Sequence, residues 1–415
     1  MDSWFLAVAM LVTVTALFAW INVSFFKLPQ TIGLLIMGFC ASFVLIAGEL
    51  LFPGAMPYRQ LLQTVASFDF SQTLMTGMLG FLLFAGALHV DLGELKSRGW
   101  AVGVMATFGT MLSTAVVGVA FWLASRALGV TVPLVWAFVF GALISPTDPV
   151  AVMATLKTAR VSRQLKTDMG GESLFNDGVG VVLFTILAAT AAMGGLKTIS
   201  PTAVVEMFLV EAAGGALLGL LTGYVAYRAM RHIDDYVVEV LISLALVMGT
   251  YALAGVLGLS GPIAVVVAGL LIGNTGVAHA MSEKTRDYLF AFWTLVDEML
   301  NFILFLFIGL EVIVLSFNLN LLPLALSAIP IAIVARLLSV SASVGGLRWF
   351  THFPRGTIAL LTWGGLRGGI SIAMALSLPD MPYRTALIAA TYCVALFTIV
   401  VQGLTFPALI KKFAA

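Results

Sequence analysis

Val139-Phe140-Gly141-Ala142-Leu143-Ile144 runs directly into Ser145-Pro146-Thr147-Asp148-Pro149-Val150. An apolar helix is interrupted in mid-course by two prolines with an acid between them. Each proline removes a backbone donor and clashes with the preceding turn, so a helix must open here. Opened backbone at such a place survives only if it is buried in protein or lines a wet cavity.

Composition says what surrounds it. The chain has 415 residues, 61% hydrophobic and only 10% charged, with mean hydropathy +1.08. A soluble domain is about half apolar and about a quarter charged. Lipid can accommodate the excess apolar surface where a soluble core could not. A net charge of +1 leaves nothing to attract nucleic acid. Cys40 and Cys393 sit in apolar runs and read as small core residues. The histidines His89, His232, His279 and His352 lie near segment ends without spaced Cys or His partners, which argues against zinc. No cofactor is expected.

A membrane helix needs about 20 mostly apolar residues. Thirteen such segments are predicted, at 4–22, 31–52, 74–90, 99–125, 132–157, 168–193, 203–229, 237–258, 261–277, 290–315, 319–340, 356–378 and 384–410. The start, Met1-Asp2-Ser3-Trp4, has no basic stretch, so the first segment reads as retained rather than as a cleaved signal. With the N-terminus outside, the outer loops hold only Arg59, Arg126, Lys197 and Arg384. The inner loops then take Lys27, Lys96, Arg98, Lys157, Arg160, Arg163, Lys166, Arg228, Arg231, Lys284, Arg286, Arg348, Arg355, Lys411 and Lys412. That bias predicts a multi-pass protein of the cell (inner) membrane, with the N-terminus out and the C-terminus cytoplasmic. So few residues follow the last span that no soluble regulatory domain is expected there.

Two short matches recur seven spans apart. Gly33-Leu34-Leu35-Ile36 in the second span returns as Gly269-Leu270-Leu271-Ile272 in the ninth, each after a proline, Pro29 or Pro262. Phe81-Leu82-Leu83-Phe84 in the third returns as Phe302-Ile303-Leu304-Phe305 in the tenth. Either match alone is weak in so apolar a chain, but the shared offset is not. An odd offset sets the two copies in opposite orientations, an inverted repeat of the kind transporters use. The repeat also makes the twelfth span the counterpart of the fifth. That span is interrupted too, by Gly364-Gly365-Leu366-Arg367-Gly368-Gly369, whose glycines weaken a helix. Two facing breaks bring half-helix ends together, with donors and acceptors for ions.

Charged residues at the bilayer centre cost at least about 2.5–3.5 kcal/mol on insertion scales and are functional by default. Asp148 sits in the first break. The sixth span opens with Gly171-Glu172-Ser173-Leu174-Phe175-Asn176-Asp177. Ser173 and Asp177 share one face of that helix, Glu172 and Asn176 the next. A short basic loop joins the fifth and sixth spans, so they are expected to be antiparallel neighbours that let Asp148 and Asp177 approach. Carboxylates, a hydroxyl and unwound carbonyls suit a hard alkali cation, and the same carboxylates take protons, so cation and proton compete. The buried Arg336 and Arg367 both need partners, and Glu172 suits either. Asp297, Glu298, Glu206, Glu211, Glu239 and Glu311 are expected to line a cavity or face an aqueous edge, and Glu49, Asp91 and Glu94 to sit at the interface. A channel would need a continuous pore, against which a basic residue beside paired carboxylates argues. A hydrolase using Ser173 would lack a histidine or lysine base within the membrane.

Taken together, Ser145-Pro146-Thr147-Asp148-Pro149-Val150, Gly171-Glu172-Ser173-Leu174-Phe175-Asn176-Asp177 and Trp363-Gly364-Gly365-Leu366-Arg367-Gly368 resemble the motifs of the monovalent cation/proton antiporters, in the NhaP and sodium/hydrogen exchanger branch. The resemblance implies an all-α polytopic protein of about 13 transmembrane helices. It would be built from two inverted six-helix repeats with crossed broken helices 5 and 12. It implies a homodimer with a dimerisation domain at 1–95 and 233–317, a transport domain at 96–195 and 318–415, and a linker helix at 196–232. It implies that Asp177 carries cation and proton and that Asp148, Ser173 and the Thr147 backbone complete the Na+ site. It further implies that Asn176 steadies the opened fifth helix, that Glu172 pairs with Arg336, and that Arg367 compensates the broken helices. The Asn176-Asp177 pair matches the branch exchanging one cation for one proton, sodium or lithium first; potassium/proton exchange is the alternative cargo. No counterpart of the long cytoplasmic tail of the animal exchangers is expected.

Overall fold

The computed structural model describes residues 3–51, 70–148, 152–153, 156, 161–194, 201–311, 319–349 and 351–413. Pro149, Val150, Arg59, Lys157, Arg160 and Lys197 lie outside them, as does the side chain of Glu49. Among the described residues the chain is helical throughout its regular elements. In order these are α1 (Ser3–Ile21), α2 (Gln30–Leu51), α3 (Thr73–Leu88), α4 (Leu92–Ala127) and α5 (Leu134–Ile144). There follow α6 (Arg163–Ala192), α7 (Pro201–Met230), α8 (Tyr236–Leu257), α9 (Gly261–His279), α10 (Glu283–Glu311) and α11 (Leu322–Leu347). Next is α12 in two halves (Thr357–Trp363 and Gly369–Leu376), then α13 (Arg384–Phe413). Among the described residues ten helices are long and apolar enough to cross a membrane; α3 and α5 are shorter apolar helices. Each predicted span has its helix.

Local chemistry sets the ends. Asp91 caps α4 by accepting from the Gly93 and Glu94 amides at 2.7 and 3.3 Å, and Asp235 caps α8 in the same way. Gly258, at φ 66°, ends α8, and Ser260 with Pro262 then opens α9. The Asp91 cap explains one departure from expectation. α4 begins at Leu92 rather than 99, which puts Arg98 inside the helix, where it is buried rather than in a wet inner loop. Likewise α10 begins at Glu283, enclosing Lys284 and Arg286.

Cys40 is exposed and Cys393 half-buried, so neither is the core residue expected. The reason is the solvent: lipid accepts a thiol as readily as a protein core does. The same holds along α7, where Val205, Leu209, Val210, Leu217, Leu221 and Val225 are all exposed. Such a surface is stable only in a bilayer; the protein is a multi-pass membrane protein.

Helix packing repeats itself seven elements on. α2 lies along α10, and its counterpart α9 lies along α3. α4 packs on α5 and α6, as α11 packs on α12 and α13. α5 packs on α6, as the second half of α12 packs on α13, while α4 and α11 pack on each other. The two Gly-Leu-Leu-Ile helices are thus each exchanged onto the Phe-x-Leu-Phe helix of the other half, as an inverted repeat requires. α7 lies against α8 and α9 and touches α6.

Candidate functional site

The breaks in α5 and α12 meet. The Asp148 amide donates to the Leu366 carbonyl at 2.8 Å, and the two residues form an isolated antiparallel bridge. Opened backbone from one half-repeat therefore satisfies opened backbone from the other, which is how it survives in the interior. Gly368 lies directly under Asp148: a Cβ there would overlap the Asp148 carboxylate and stand 2.6 Å from its Cβ.

Arg367 is one of the largest fully buried side chains, 1% exposed. Its Nη1 donates to the Ser145 carbonyl and, at 2.8 Å, to the Pro146 carbonyl. These carbonyls end the first half of α5, and Pro149 has no N–H to return to the Ser145 carbonyl. A guanidinium thus neutralises a half-helix C-terminus from inside. The Arg367 amide in turn donates to Thr398 Oγ1 at 3.0 Å, within a π-turn of α13.

α6 supplies the other wall. Asn176 brackets Thr147: its Oδ1 accepts from the Thr147 amide at 3.3 Å and its Nδ2 donates to Thr147 Oγ1 at 2.8 Å. Thr147 Oγ1 also lies 3.1 Å from Ser173 Oγ. Ser145 Oγ donates to the Gly141 carbonyl at 2.7 Å and lies 3.0 Å from Ser113 Oγ. Asp177 is 8% exposed, stands within electrostatic reach of Asp148, and accepts no hydrogen bond among the described residues. The predicted set therefore forms a cluster: Thr147, Ser173 and Asn176 are hydrogen-bonded together, and Asp148, next to Thr147, is within electrostatic reach of Asp177. It offers carboxylate, hydroxyl, amide and carbonyl oxygen, a donor set for a small hard cation.

Glu172 meets Arg336 rather than Arg367. Both guanidinium nitrogens bond its carboxylate, Nη1 to Oε1 and Nη2 to Oε2 at 2.9 Å, and Arg336 Nε donates to the Leu361 carbonyl at 3.2 Å. The pair is buried and bidentate, the strong form of this contact.

A second buried pair was missed in the sequence. Arg98 Nε and Nη2 donate to Asp168 at 2.9 and 2.5 Å, Arg98 Nη1 donates to the His352 carbonyl at 3.2 Å, and the guanidinium covers the Phe353 ring at 4.8 Å. Asp168 lies one helical turn before Glu172, so their common face was the available signal. Reading Arg98 as a loop charge hid it. Two of the acids expected at a cavity or an aqueous edge are buried within the protein. Glu239 is fully buried and accepts from Thr285 Oγ1 at 3.2 Å, and Glu311 is buried at the end of α10. Glu94, by contrast, is a surface partner of Arg163 and accepts from Thr167 Oγ1 at 2.9 Å.

Comparison with known proteins accords with this geometry. The family model described as sodium/hydrogen exchanger, transmembrane, matches residues 12–412. The chain is 43% identical to the Na(+)/H(+) antiporter NhaP of Pseudomonas aeruginosa, over 98% of this chain and 96% of that protein. It is 39% identical to the Na(+)/H(+) antiporter NhaH of Halobacillus aidingensis, over 83% of each. The solved structure of the sodium proton antiporter MjNhaP1 from Methanocaldococcus jannaschii shares the fold, with a TM-score of 0.75 and 21% identity over 100% of both chains. This chain belongs to the sodium/hydrogen exchanger family.

Proposed function

We propose that the protein is a secondary antiporter that exchanges one sodium or lithium ion for one proton across the cell membrane. The crossed breaks of α5 and α12 at Asp148, with Asp177 in electrostatic reach of it, carry this reading, and the antiporter names of its relatives support it. Asp177 is the group that holds either ion. A cation bound there displaces the proton, and a proton displaces the cation. With Asp148, Ser173 and Thr147 it replaces part of the hydration shell. Asn176 holds Thr147 in place and, being an amide, carries no second exchangeable proton. One cation then exchanges for one proton, and the membrane potential does no net work. The empty site holds uncompensated charge and is costly to carry past the hydrophobic barrier, whereas either loaded form crosses; that difference couples the two fluxes.

In this reading the helices at 96–195 and 318–415 carry the site, and those at 1–95 and 233–317 form the fixed, dimerising scaffold. The linker at 196–232 joins them, and the Lys- and Arg-rich ends face the cytoplasm. The Glu172–Arg336 pair holds α6 to α11 inside the moving body. The test is exchange in proteoliposomes with each alkali ion, with and without an ionophore clamping the potential. Sodium-driven proton flux that is insensitive to potential and lost in Asp177→Asn is expected. Uncoupled current, or full exchange in Asp177→Asn, would overturn the proposal. A response to potassium and not sodium would reassign the cargo.

A further inference from the structure

Two side chains on the Gly-Leu-Leu-Ile helices hold the ends of the neighbouring helices, and the ion site uses neither. Asn274 lies in a π-turn of α9, Ile272–Gly276. Its Oδ1 accepts from the Leu92 amide at 2.8 Å, and its Nδ2 donates to the Val90 carbonyl at 2.9 Å. A third bond, from Nδ2 to the Leu270 carbonyl at 2.9 Å, fixes the side chain to its own helix. An N–H that must donate on one side and carbonyls that must accept on the other set the orientation of the amide. One side chain thus spans the corner between α3 and α4.

The corner satisfies its other first amides by itself. Asp91 takes the Gly93 and Glu94 amides on its carboxylate and the Leu95 amide on its carbonyl, the last at 2.9 Å. The Leu92 amide is left for a partner from elsewhere in the fold, and Asn274 is that partner. Behind it the backbones are in close approach: a Cβ at Gly273 would stand 2.2 Å from the Leu88 carbonyl oxygen, and one at Gly269 3.0 Å from that of Phe84. α9 therefore lies tightly against α3 up to the point where the chain leaves it.

The other half of the repeat has the same arrangement. Ser42 of α2 is fully buried, with its Oγ 2.8 Å from the Gly309 carbonyl oxygen, 3.2 Å from that of Leu310 and 3.0 Å from that of Gly38 on its own helix. A Cβ at Gly38 would stand 2.6 Å from the Leu306 carbonyl oxygen, so α2 and α10 are equally close. Counted from the repeated motifs, Gly309 and Leu310 match Leu88 and His89, and Ser42 falls one helical turn beyond the position matching Asn274. Because the repeat is inverted, the two anchors sit at opposite faces of the bundle.

In the domain reading above, the chain passes directly from scaffold to transport domain just beyond these two places. Resting on that reading, we infer that Asn274 and Ser42 are positioning residues for transport, which pin the ends of α3 and α10 to the scaffold so that the transport domain swings about fixed corners. α4 starts at the corner held by Asn274 and packs on α5 and α6, so its swing carries the crossed breaks with it. With the anchor lost, displacement of α4 is absorbed in the corner and the ion site moves less. Hinge positions far from the reacting groups set turnover in this way.

The experiment measures exchange in proteoliposomes and backbone hydrogen–deuterium exchange on the same purified proteins. Asn274→Leu is nearly isosteric and makes neither corner bond. Its Vmax per folded transporter should fall about threefold or more, while the rise of the apparent KM for sodium on acidification stays as in the parent. Asn274→Asp, which still accepts from Leu92, should fall between the two. Ser42→Ala should lower Vmax likewise, and Thr275→Ala, at an exposed neighbour in the same π-turn, should match the parent. A peptide covering 89–95 should take up deuterium faster in Asn274→Leu and at the parent rate in Thr275→Ala. Unchanged Vmax in Asn274→Leu, a Vmax loss without faster deuterium uptake at 89–95, or a flattened pH response of KM would overturn the inference. A parent protein without coupled exchange would overturn the antiport reading and the inference with it; a parent that exchanges beside an unaltered Asn274→Leu would overturn the inference alone.

Discussion

Removing Glu172 tests the architecture of the site most directly. Its carboxylate receives both terminal nitrogens of Arg336, at the junction of α6 and α11, and is 2% exposed. Hydrogen bonds to charged groups contribute about 1.5–3 kcal/mol each. Two of them agree with the roughly 3–5 kcal/mol cost of breaking a buried pair and stranding one charge. Glu172→Ala should therefore lower the apparent melting temperature of the purified protein in detergent by roughly 3–6 °C, and Arg336→Ala by a similar amount. The double variant Glu172→Leu/Arg336→Met strands no charge, so its loss should be well below the sum of the single losses. The readout is thermal unfolding followed by intrinsic tryptophan fluorescence. A Glu172→Ala protein melting within about 2 °C of the parent would refute the reasoning, as would full additivity in the double variant.

Three further outcomes follow from the geometry. Gly368→Ala places a methyl group in the Asp148 carboxylate and should reduce exchange more than tenfold, whereas Gly346→Ala, with nothing within 4 Å of its added Cβ, should leave exchange at the parent rate. If one carboxylate holds either ion, protons compete with sodium: lowering the pH by one unit should raise the apparent KM for sodium by up to about tenfold without changing Vmax at saturating sodium, and a KM flat with pH would exclude a shared site. Asp168→Asn leaves the buried Arg98 charge with a neutral partner and should destabilise the protein by roughly 3 kcal/mol or more, read as a fall in melting temperature; Asp168→Asn/Arg98→Met should recover part of it.

The membrane class, the order of the spans and the two helix breaks were legible along the chain because each rests on local chemistry. Runs of about 20 apolar residues are readable one segment at a time. Pro146 breaks α5 whatever surrounds it, and the glycines around Arg367 weaken α12 in the same local way. Ser173 and Asp177 share a face by helical period alone. Contacts between distant segments were not legible from residue patterns. Whether Glu172 takes Arg336 or Arg367 depends on how α6, α11 and α12 pack; the packing gives Glu172 to Arg336 and turns Arg367 to the Ser145 and Pro146 carbonyls. The Asp148–Leu366 bridge joins residues more than two hundred positions apart and exists only because the two halves cross. Arg98 shows the same limit: in the sequence it is one more basic residue at a span's edge, and only the early start of α4 at the Asp91 cap carries it inside to meet Asp168. Local sequence fixes where a helix opens and which residues share its face; which buried charge meets which is set by tertiary packing, since a charge in a low-dielectric interior must find its partner wherever the fold brings one.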